Sequence, residues 1–267
     1  MYALTYFRPA SLDEAIAFLE ANPEAKPLSG GMTLVPTLKQ RLAAPSHLVD
    51  LTRLPELQGI TYDASVLRIG AATRHAQVAG SDVVRREIPA LAALAGLIAD
   101  PQVRNRGTIG GSVANNDPAA DYPAALLGLG ATVVTSSRRI AAEDFIVGMF
   151  ETALQESELV TAIEFPRPER AAYLKYAHAA SGYAVTGVFV SQLGGDVRVG
   201  VTGAGPAAFR WHDAEQALAE DFSDAALAGL SIDPDLMLDD ATAPARYRAN
   251  LVKVFTRRAL AAVLKGA

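Results

Sequence analysis

The sequence predicts an α+β fold, in which hairpins and separate helices occur in place of a regular β-α-β array. Ser11 and Glu14 form the pattern of a capping box, which begins a helix. Two pairs of short apolar runs are separated by turn residues, Asp63-Ala64-Ser65 and Gly194-Gly195-Asp196, which are typical of hairpins. A helical apolar periodicity over 246–264 predicts a C-terminal helix.

Further elements follow from local patterns along the chain. Apolar and β-branched runs predict strands at 47–51, 131–135, 159–165, 185–192 and 197–201. The apolar spacing predicts one helix over 82–99 and a short helical piece over 36–42. Asp121 is the expected N-cap of a helix that continues to Leu127. The prolines and charges of 166–170 mark a domain boundary, because they continue neither a helix nor a sheet.

Composition limits the function classes. The chain has 267 residues, a hydrophobic fraction of 50% and a net charge of −5, so it has no basic excess for extended nucleic-acid binding. It contains no cysteine, which excludes disulfides and an iron–sulfur cluster carried by this chain. The four histidines have no metal-site spacing.

The N-terminal residues 1–9 lack the basic head and apolar run of a secretory signal. No apolar run reaches the roughly 20 residues that cross a bilayer. We therefore expect a cytoplasmic protein without a membrane span.

Two segments rich in glycine are the most informative motifs. Gly107, Gly110 and Gly111 lie close together in the second segment, and Gly30 and Gly31 lie in the first. Successive N–H groups without side-chain cover form a concave site for anions such as phosphate. A single Gly-Gly pair is more often a turn, but two such segments favour a cofactor with two phosphates held between two subdomains.

Other motifs do not support a nucleotide or hydrolase site. Gly203-Ala204-Gly205-Pro206 lacks the third glycine of a dinucleotide fingerprint, and its proline lacks an N–H, so a turn is the better interpretation. Ser112 lacks the second glycine of a nucleophile elbow.

The glycine segments also carry a family resemblance. Thr108-Ile109-Gly110-Gly111-Ser112, followed by the segment from Asp117 to Pro123, resembles the flavin-binding signature of the molybdenum hydroxylase family. The match is to the FAD-binding medium subunit of carbon-monoxide-dehydrogenase and xanthine-dehydrogenase type enzymes. Ser29-Gly30-Gly31-Met32-Thr33 is similar to the family's other flavin loop, with Met32 in place of a polar residue. In the segment from Tyr173 to Ala184, Lys175 and Tyr183 match, while His178 and Gly182 replace charged residues.

The resemblance implies a two-subdomain FAD-binding fold of the vanillyl-alcohol-oxidase (PCMH) type over 1–168, with subdomains of about 1–55 and 56–168. A C-terminal α+β domain of the CO dehydrogenase flavoprotein type then covers 169–267. The residues implied to contact FAD are Lys26, Leu28, Ser29, Gly30, Gly31, Met32, Thr33, Leu34, Ala72, Ile98, Val103, Gly107, Thr108, Gly110, Gly111, Ser112, Ala114, Asp121, Leu159, Val160, Lys175 and Tyr183.

Some of these residues have specific implied roles. Both glycine segments are expected to bind the diphosphate through N–H groups, and Asp121 to accept hydrogen bonds from a sugar or ribityl hydroxyl. Lys175 is expected near the isoalloxazine carbonyls, where a cation stabilises reduced flavin. Tyr183 either covers one ring face or is a core aromatic residue at the start of a strand.

The implied activity is electron transfer within a heterotrimer, as a dimer of heterotrimers. A small partner subunit is expected to carry two [2Fe–2S] clusters and a large one the molybdopterin cofactor, while FAD on this chain passes electrons to an external acceptor. No catalytic acid, base or nucleophile is expected on this chain. The alternatives are a stand-alone flavin oxidoreductase acting on a small substrate and an interaction subunit that no longer binds a cofactor. The substrate and the acceptor stay open.

Overall fold

The structure is a computed structural model that describes residues 1–266, and it contains three main sheets. The first is a small parallel sheet of order β1-β3-β2 with two helices. Its elements are β1 (Thr5–Phe7), α1 (Leu12–Ala21), β2 (Lys26–Leu28), α2 (Leu34–Lys39) and β3 (His47–Asp50). The predicted cap is present at the start of α1, where the Ser11 hydroxyl accepts the Glu14 N–H at 3.2 Å.

The second sheet has five antiparallel strands and order β4-β5-β10-β6-β7. Its strands are β4 (Ile60–Asp63), β5 (Val66–Gly70), β6 (Thr132–Thr135), β7 (Arg139–Ala141) and β10 (Val160–Pro166), and β8 (Ile146–Gly148) and β9 (Glu151–Thr152) form a separate pair. The helices of this region are α3 (His75–Gly80), α4 (Asp82–Glu87), α5 (Pro89–Gly96), α6 (Pro101–Arg104), α7 (Ile109–Asn115), α8 (Tyr122–Gly128) and α9 (Ala142–Phe145). Their apolar side chains and those of the sheet form the largest core cluster.

The third sheet is antiparallel, with order β11-β12-β13-β14. Its elements are β11 (Arg170–Ala177), β12 (Ala184–Leu193), β13 (Asp196–Thr202), β14 (Phe209–Arg210), α10 (His212–Glu220) and α11 (Ala245–Leu264). The long helix α11 packs on β11 and β12, while α8 of the preceding region packs on β12 and β13. Every residue of α8 is buried, so this helix is the joint between the second and third regions.

Both predicted hairpins and the C-terminal helix are confirmed. The structure also contains both helices and largely antiparallel sheets, as the predicted α+β class requires. Gly194 and Gly195 both have positive φ, as a two-residue hairpin turn requires. The strand predicted over 159–165 corresponds to β10. Of the segment 166–170, which was expected to continue neither a helix nor a sheet, Pro166 ends β10 and Arg170 begins β11, and only 167–169 lie between the two strands.

Two local predictions are wrong. The helix expected over 82–99 is two helices, because Pro89 removes an N–H and forces Ile88 out of the helical region. Asp121 is the N-cap residue of α8, as expected, but its side chain makes no capping bond, because its oxygens accept from Tyr173 and Lys175. Part of the second glycine segment, Ile109–Asn115, is helical.

No helix within residues 1–266 has the length and apolar character needed to cross a membrane.

Arg248 is a buried cation on α11 that sequence patterning did not identify. Its guanidinium donates to Val185 O at 2.7 Å, to Gly203 O at 2.6 Å and to the Asp240 carboxylate at 2.8 Å. Its side chain is only 4% exposed. Arg248 therefore satisfies carbonyl groups at the ends of β12 and β13 that have no access to water.

We expect Arg248→Met to lower the free energy of unfolding by about 3 kcal/mol, because it leaves buried carbonyls without donors. Urea unfolding at neutral pH measures this change. Arg257→Met on the same helix is the matched control, since Arg257 and its partner Asp224 are both exposed and should contribute little. Equal losses in the two variants would contradict the assignment.

Candidate functional site

The two glycine segments meet in the structure, as the sequence predicts. A Cβ atom placed on Gly30 would lie 2.3 Å from Arg106 O and 2.6 Å from Gly107 Cα, so the two backbones are in direct contact. Beside this contact, Ser29 Oγ and Thr108 Oγ1 are hydrogen-bonded at 2.8 Å. Only glycine at position 30 permits this approach.

A cavity of about 690 Å³ opens along this contact and has walls from all three regions of the chain. Its size is within the range of small-molecule sites. All but one of the residues predicted to bind the cofactor line it. These are Lys26, Leu28, Ser29, Gly30, Gly31, Met32, Thr33, Leu34, Ala72, Ile98, Val103, Gly107, Thr108, Gly110, Gly111, Ser112, Ala114, Asp121, Leu159, Val160 and Tyr183.

The two segments differ in the N–H groups that they offer. Within residues 1–266, the N–H groups of 30–33 donate to no protein acceptor. Those of Ile109 and Gly110 donate to Thr73 O and Ala71 O at 3.0 and 2.9 Å, and that of Gly111 donates to Thr108 Oγ1 at 3.2 Å. The first segment is therefore a run of available donors suited to an anion. The expectation that both segments offer N–H groups is corrected for 109–111, which are used inside the protein.

Lys175 is the predicted site residue that does not line the cavity. Its side chain is 4% exposed, and its ammonium donates to Leu97 O at 2.9 Å and Gly182 O at 2.7 Å and pairs with Asp121 Oδ1 at 2.8 Å. An ammonium has three N–H donors, and three acceptors surround this one. These three acceptors match the three donors of the ammonium, and the expected contact between Lys175 and a flavin carbonyl stays a prediction.

Asp121 reaches the cavity wall, but its carboxylate is directed into the protein. It accepts from the Tyr173 hydroxyl at 2.6 Å and from Lys175, and the residue is 4% exposed. Burial raises the pKa of Asp121, while the adjacent Lys175 ammonium lowers it. The role expected of Asp121, accepting hydrogen bonds from a sugar hydroxyl, competes with these two donors.

Sequence reasoning missed several residues of the cavity wall. They are Pro27, Thr37, Leu51, Leu57, Ala71, His75, Ala99, Asp100, Asn115, Asp117, Ala120, Leu154, Glu158, Ser181 and Gly182. Most are neighbours of predicted residues, and a wider window around each motif would have included them. Leu51 and Leu57 lie far in sequence from any predicted residue, and only the tertiary fold brings them to the wall.

The ionisable groups of the wall are held in defined states. Glu158 bonds to Arg138 at 3.0 Å, and this contact lowers the pKa of Glu158 to about 2. Burial and the nearby Arg104 lower the pKa of His75 to about 4, so its ring is neutral at pH 7. Burial raises the pKa of Asp117, which accepts the Ala119 N–H at 2.9 Å. Burial and pairing thus shift the pKa values of Glu158 and His75 downward and that of Asp117 upward.

A cavity between two touching backbones, with a run of available N–H donors, defines a protein that binds a phosphate-containing cofactor. The family model described as "FAD binding domain in molybdopterin dehydrogenase" matches residues 2–168. The chain belongs to this family, and it is an FAD-binding subunit of an oxidoreductase. The predicted family and cofactor are confirmed.

Relatives match over nearly the whole chain. The glyceraldehyde dehydrogenase medium chain of Sulfolobus acidocaldarius is 34% identical, over 96% of this chain and 96% of that protein. The nicotine 6-hydroxylase medium subunit of Paenarthrobacter nicotinovorans is 34% identical, over 97% and 96%. Among solved structures, carbon monoxide dehydrogenase from Hydrogenophaga pseudoflava matches with a TM-score of 0.90 and 34% identity, over 99% of this chain and 98% of that chain.

We expect Gly30→Ala to reduce bound FAD at least about tenfold and to lower the free energy of unfolding by about 2 kcal/mol, because the added methyl group meets backbone atoms that must shift. Flavin absorbance per protein and urea unfolding measure the two effects. Gly229→Ala is the control, since no atom lies within 4 Å of a Cβ there and φ is not positive. Normal FAD content in Gly30→Ala would show that the contact is not needed.

His75 predicts an acid sensitivity. Its native pKa of about 4 is below the ordinary value of 6.5, so between these values the unfolded chain binds a proton that the native protein does not. Stability should therefore fall by about 3 kcal/mol as the pH decreases from 6.5 to 4. Unfolding of wild type and His75→Gln across this range, with pH 8 as the baseline, isolates the effect. Parallel pH profiles of the two proteins would argue against it.

Proposed function

We propose that this chain is the FAD-bearing electron-transfer subunit of a heterotrimeric molybdenum hydroxylase. The observation that carries the proposal is the run of available N–H groups at 30–33 on a cavity whose walls come from all three regions. The absence of cysteine is consistent with it, since a chain of this composition cannot ligate the clusters itself. The metal-dependent step then belongs to other subunits.

The residues present suit FAD. The segment 30–33 would bind the diphosphate, and the Ser112 hydroxyl would face it from the second segment. Ile98, Val103 and Ala72 would supply apolar contacts, and Leu159 or Val160 would supply a backbone contact at an edge of the cofactor. Tyr183, which is 40% exposed at the cavity, would lie against the ring system.

The proposed architecture is the PCMH-type fold with subdomains of about 1–55 and 56–168, followed by the C-terminal domain over 169–267. The parallel sheet lies within the first range, the five-stranded sheet within the second and the four-stranded sheet within the third. The two glycine segments lie in different subdomains under this division. Binding of FAD would therefore hold the subdomains together.

FAD, when bound, accepts and donates electrons one or two at a time. The protein's own contribution is binding, orientation and electrostatics. The Asp121 and Glu158 carboxylates are paired with Lys175 and Arg138, and His75 is neutral. A carboxylate that is already paired with a cation is a weaker general base, so these pairings are consistent with electron transfer.

The proposed partners are a small subunit with two [2Fe–2S] clusters and a large subunit with the molybdopterin cofactor, assembled as a dimer of heterotrimers in the cytoplasm. An external electron acceptor completes the reaction. The relatives act, by their names, on glyceraldehyde and on nicotine. This variety is consistent with a substrate site on another subunit.

The test uses the complex purified with its co-expressed partner subunits. We expect an oxidised-flavin absorbance that bleaches when a substrate of the complex is added without air and returns when an acceptor is added. Aldehydes, N-heterocycles and carbon monoxide are the first substrates to try. A flavin that stays oxidised during turnover would exclude the electron-transfer role.

The chain expressed alone supplies the second arm. It should bind FAD, raise its melting temperature and oxidise none of these substrates. Full activity of the isolated chain would establish the stand-alone alternative. A colourless protein with an unchanged melting temperature would establish a subunit without cofactor binding.

A further inference from the structure

Three large apolar side chains are exposed together on the hairpin formed by β8 and β9. Val147, Met149 and Phe150 are 56%, 47% and 58% exposed. Single exposed apolar residues are common on protein surfaces, but an apolar patch of neighbouring residues marks an interaction site. Covering these three side chains would remove apolar surface from water, which favours association with a partner.

Phe150 has a backbone conformation that residues with a large side chain rarely adopt. Its φ is +55°, in the left-handed region that favours glycine. Such a conformation costs free energy, which a glycine at this position would avoid. Among residues 1–266, Phe150 belongs to none of the three apolar core clusters, so its ring does not offset the strain by packing inside the protein. The ring is therefore available for an external contact.

The hairpin is fixed to the core by one buried residue, Asn116. Its Nδ2 donates to Gly148 O on β8 and to Glu151 O on β9, both at 2.8 Å, and its main-chain O accepts the Phe150 N–H at 3.1 Å. Asn116 is 2% exposed and is the C-cap of α7. Because these bonds hold both strands and the tip, the apolar side chains are presented without the entropic cost of ordering a flexible loop.

The hairpin lies beside the cavity. Asn115 and Asp117, which flank Asn116 in the sequence, are residues of the cavity wall, and so is Leu154, which follows β9. The helix α7, to which the hairpin is bonded, begins within the second glycine segment. A protein bound to the hairpin would therefore lie close to the proposed FAD site, as an electron-transfer partner must.

The charge next to the apolar side chains is negative. Glu151 Oε2 lies 3.3 Å from the position of a Cβ on Gly148, so this carboxylate lies over the hairpin. Asp144 is exposed on α9, just before β8. Neither carboxylate takes part in an ion pair within residues 1–266. The complementary surface is therefore an apolar recess with lysine or arginine at its edge.

A permanent partner suits this surface better than a transient one. Interfaces of permanent complexes are more hydrophobic than those of transient redox encounters, which bury little surface. Aromatic and methionine side chains are enriched in interfaces, and a few buried anchors supply most of the binding energy. Phe150 and Met149 are side chains of this kind. A subunit that stays bound also covers an apolar tip that would otherwise favour aggregation.

We propose that the β8–β9 hairpin is a docking site for another subunit of the complex, which receives Val147, Met149 and Phe150 in an apolar recess edged by basic side chains. The inference rests on the proposed function, and it adds the surface that holds the partner and the chemistry of the surface that receives it. The apolar side chains supply the affinity. The carboxylates of Asp144 and Glu151 favour a basic partner surface over an acidic one.

The test captures the co-expressed complex through a tag on this chain and measures the partner subunits recovered. We expect Met149→Ser with Phe150→Ser to reduce their recovery at least about tenfold, because the anchors are lost. The FAD content and the melting temperature of the chain should stay at wild-type values, since both side chains are exposed. Phe150→Gly should also reduce recovery while folding at least as well as wild type, because glycine relieves the strain at this φ.

Two further variants test specificity. Leu236→Ser is the matched control, since Leu236 is 63% exposed but lies in the third region, and it should leave recovery unchanged. Glu151→Lys places a cation beside the expected basic edge and should reduce recovery, and this loss should diminish as the salt concentration rises.

Three results would overturn the inference. The first is wild-type recovery of the partner subunits with the folded double serine variant, and the second is an equal loss with Leu236→Ser. The third is an intact complex in which only reoxidation of the flavin by the external acceptor becomes slower, which would assign the hairpin to the acceptor. A wild-type chain that binds FAD but captures no partner subunit would instead remove the proposed function.

Discussion

The contact between the backbones at Gly30 and Gly107 is the constraint on which the site depends. A side chain at position 30 would occupy the space of Arg106 O and Gly107 Cα. The parallel sheet and the five-stranded sheet can therefore approach only where both segments are free of side chains. The hydrogen bond between Ser29 and Thr108 fixes the register of this approach. Because the free N–H groups of 30–33 follow the contact directly, their direction is set by the same constraint.

The C-terminal domain completes the cavity through a buried charge cluster. The pair formed by Lys175 and Asp121 is fully enclosed, with both side chains 4% exposed. Two charges in such a place are tolerated because main-chain carbonyls and the Tyr173 hydroxyl use the remaining hydrogen-bonding capacity. A buried ion pair adds little net stability, because removing two charges from water costs free energy. It still fixes the positions of the two residues, since a buried charge that loses its partner is left uncompensated. The Lys175 bond to Gly182 O therefore gives the β11–β12 loop of the third region a defined place at the cavity wall.

The sequence predicted the cavity wall better than it predicted the donors and acceptors within it. Glycine segments, helix caps and hairpin turns are each defined by a few consecutive residues. The roles of Gly30, Ser11 and Gly194 can therefore be predicted from their neighbours in the sequence. Lys175 was identified from its motif, but its partners Leu97 O and Gly182 O are main-chain atoms that no sequence pattern marks. In the same way, the N–H groups of Ile109 and Gly110 are used by Thr73 O and Ala71 O, which follows from the packing of α7. The Gly111 N–H donates to the side chain of Thr108, the N-cap residue of α7. Pro89 is present in the sequence, but the apolar spacing over 82–99 continues through it, so this spacing alone does not show that one helix ends and another begins there.

The proposed division of labour among subunits is consistent with the electrostatics of the wall. A flavin site that acts on substrate needs a group whose pKa lies near the working pH and which can reach the reacting atom. Here Glu158 is held ionised by Arg138, Asp121 is engaged by Lys175, and His75 has lost its basicity through burial. These three groups of the wall are therefore poorly suited to take a proton from a substrate. By their names, relatives of this chain act on glyceraldehyde and on nicotine. This is the outcome expected if, as proposed, specificity is set where the substrate is oxidised and this chain carries only the electrons.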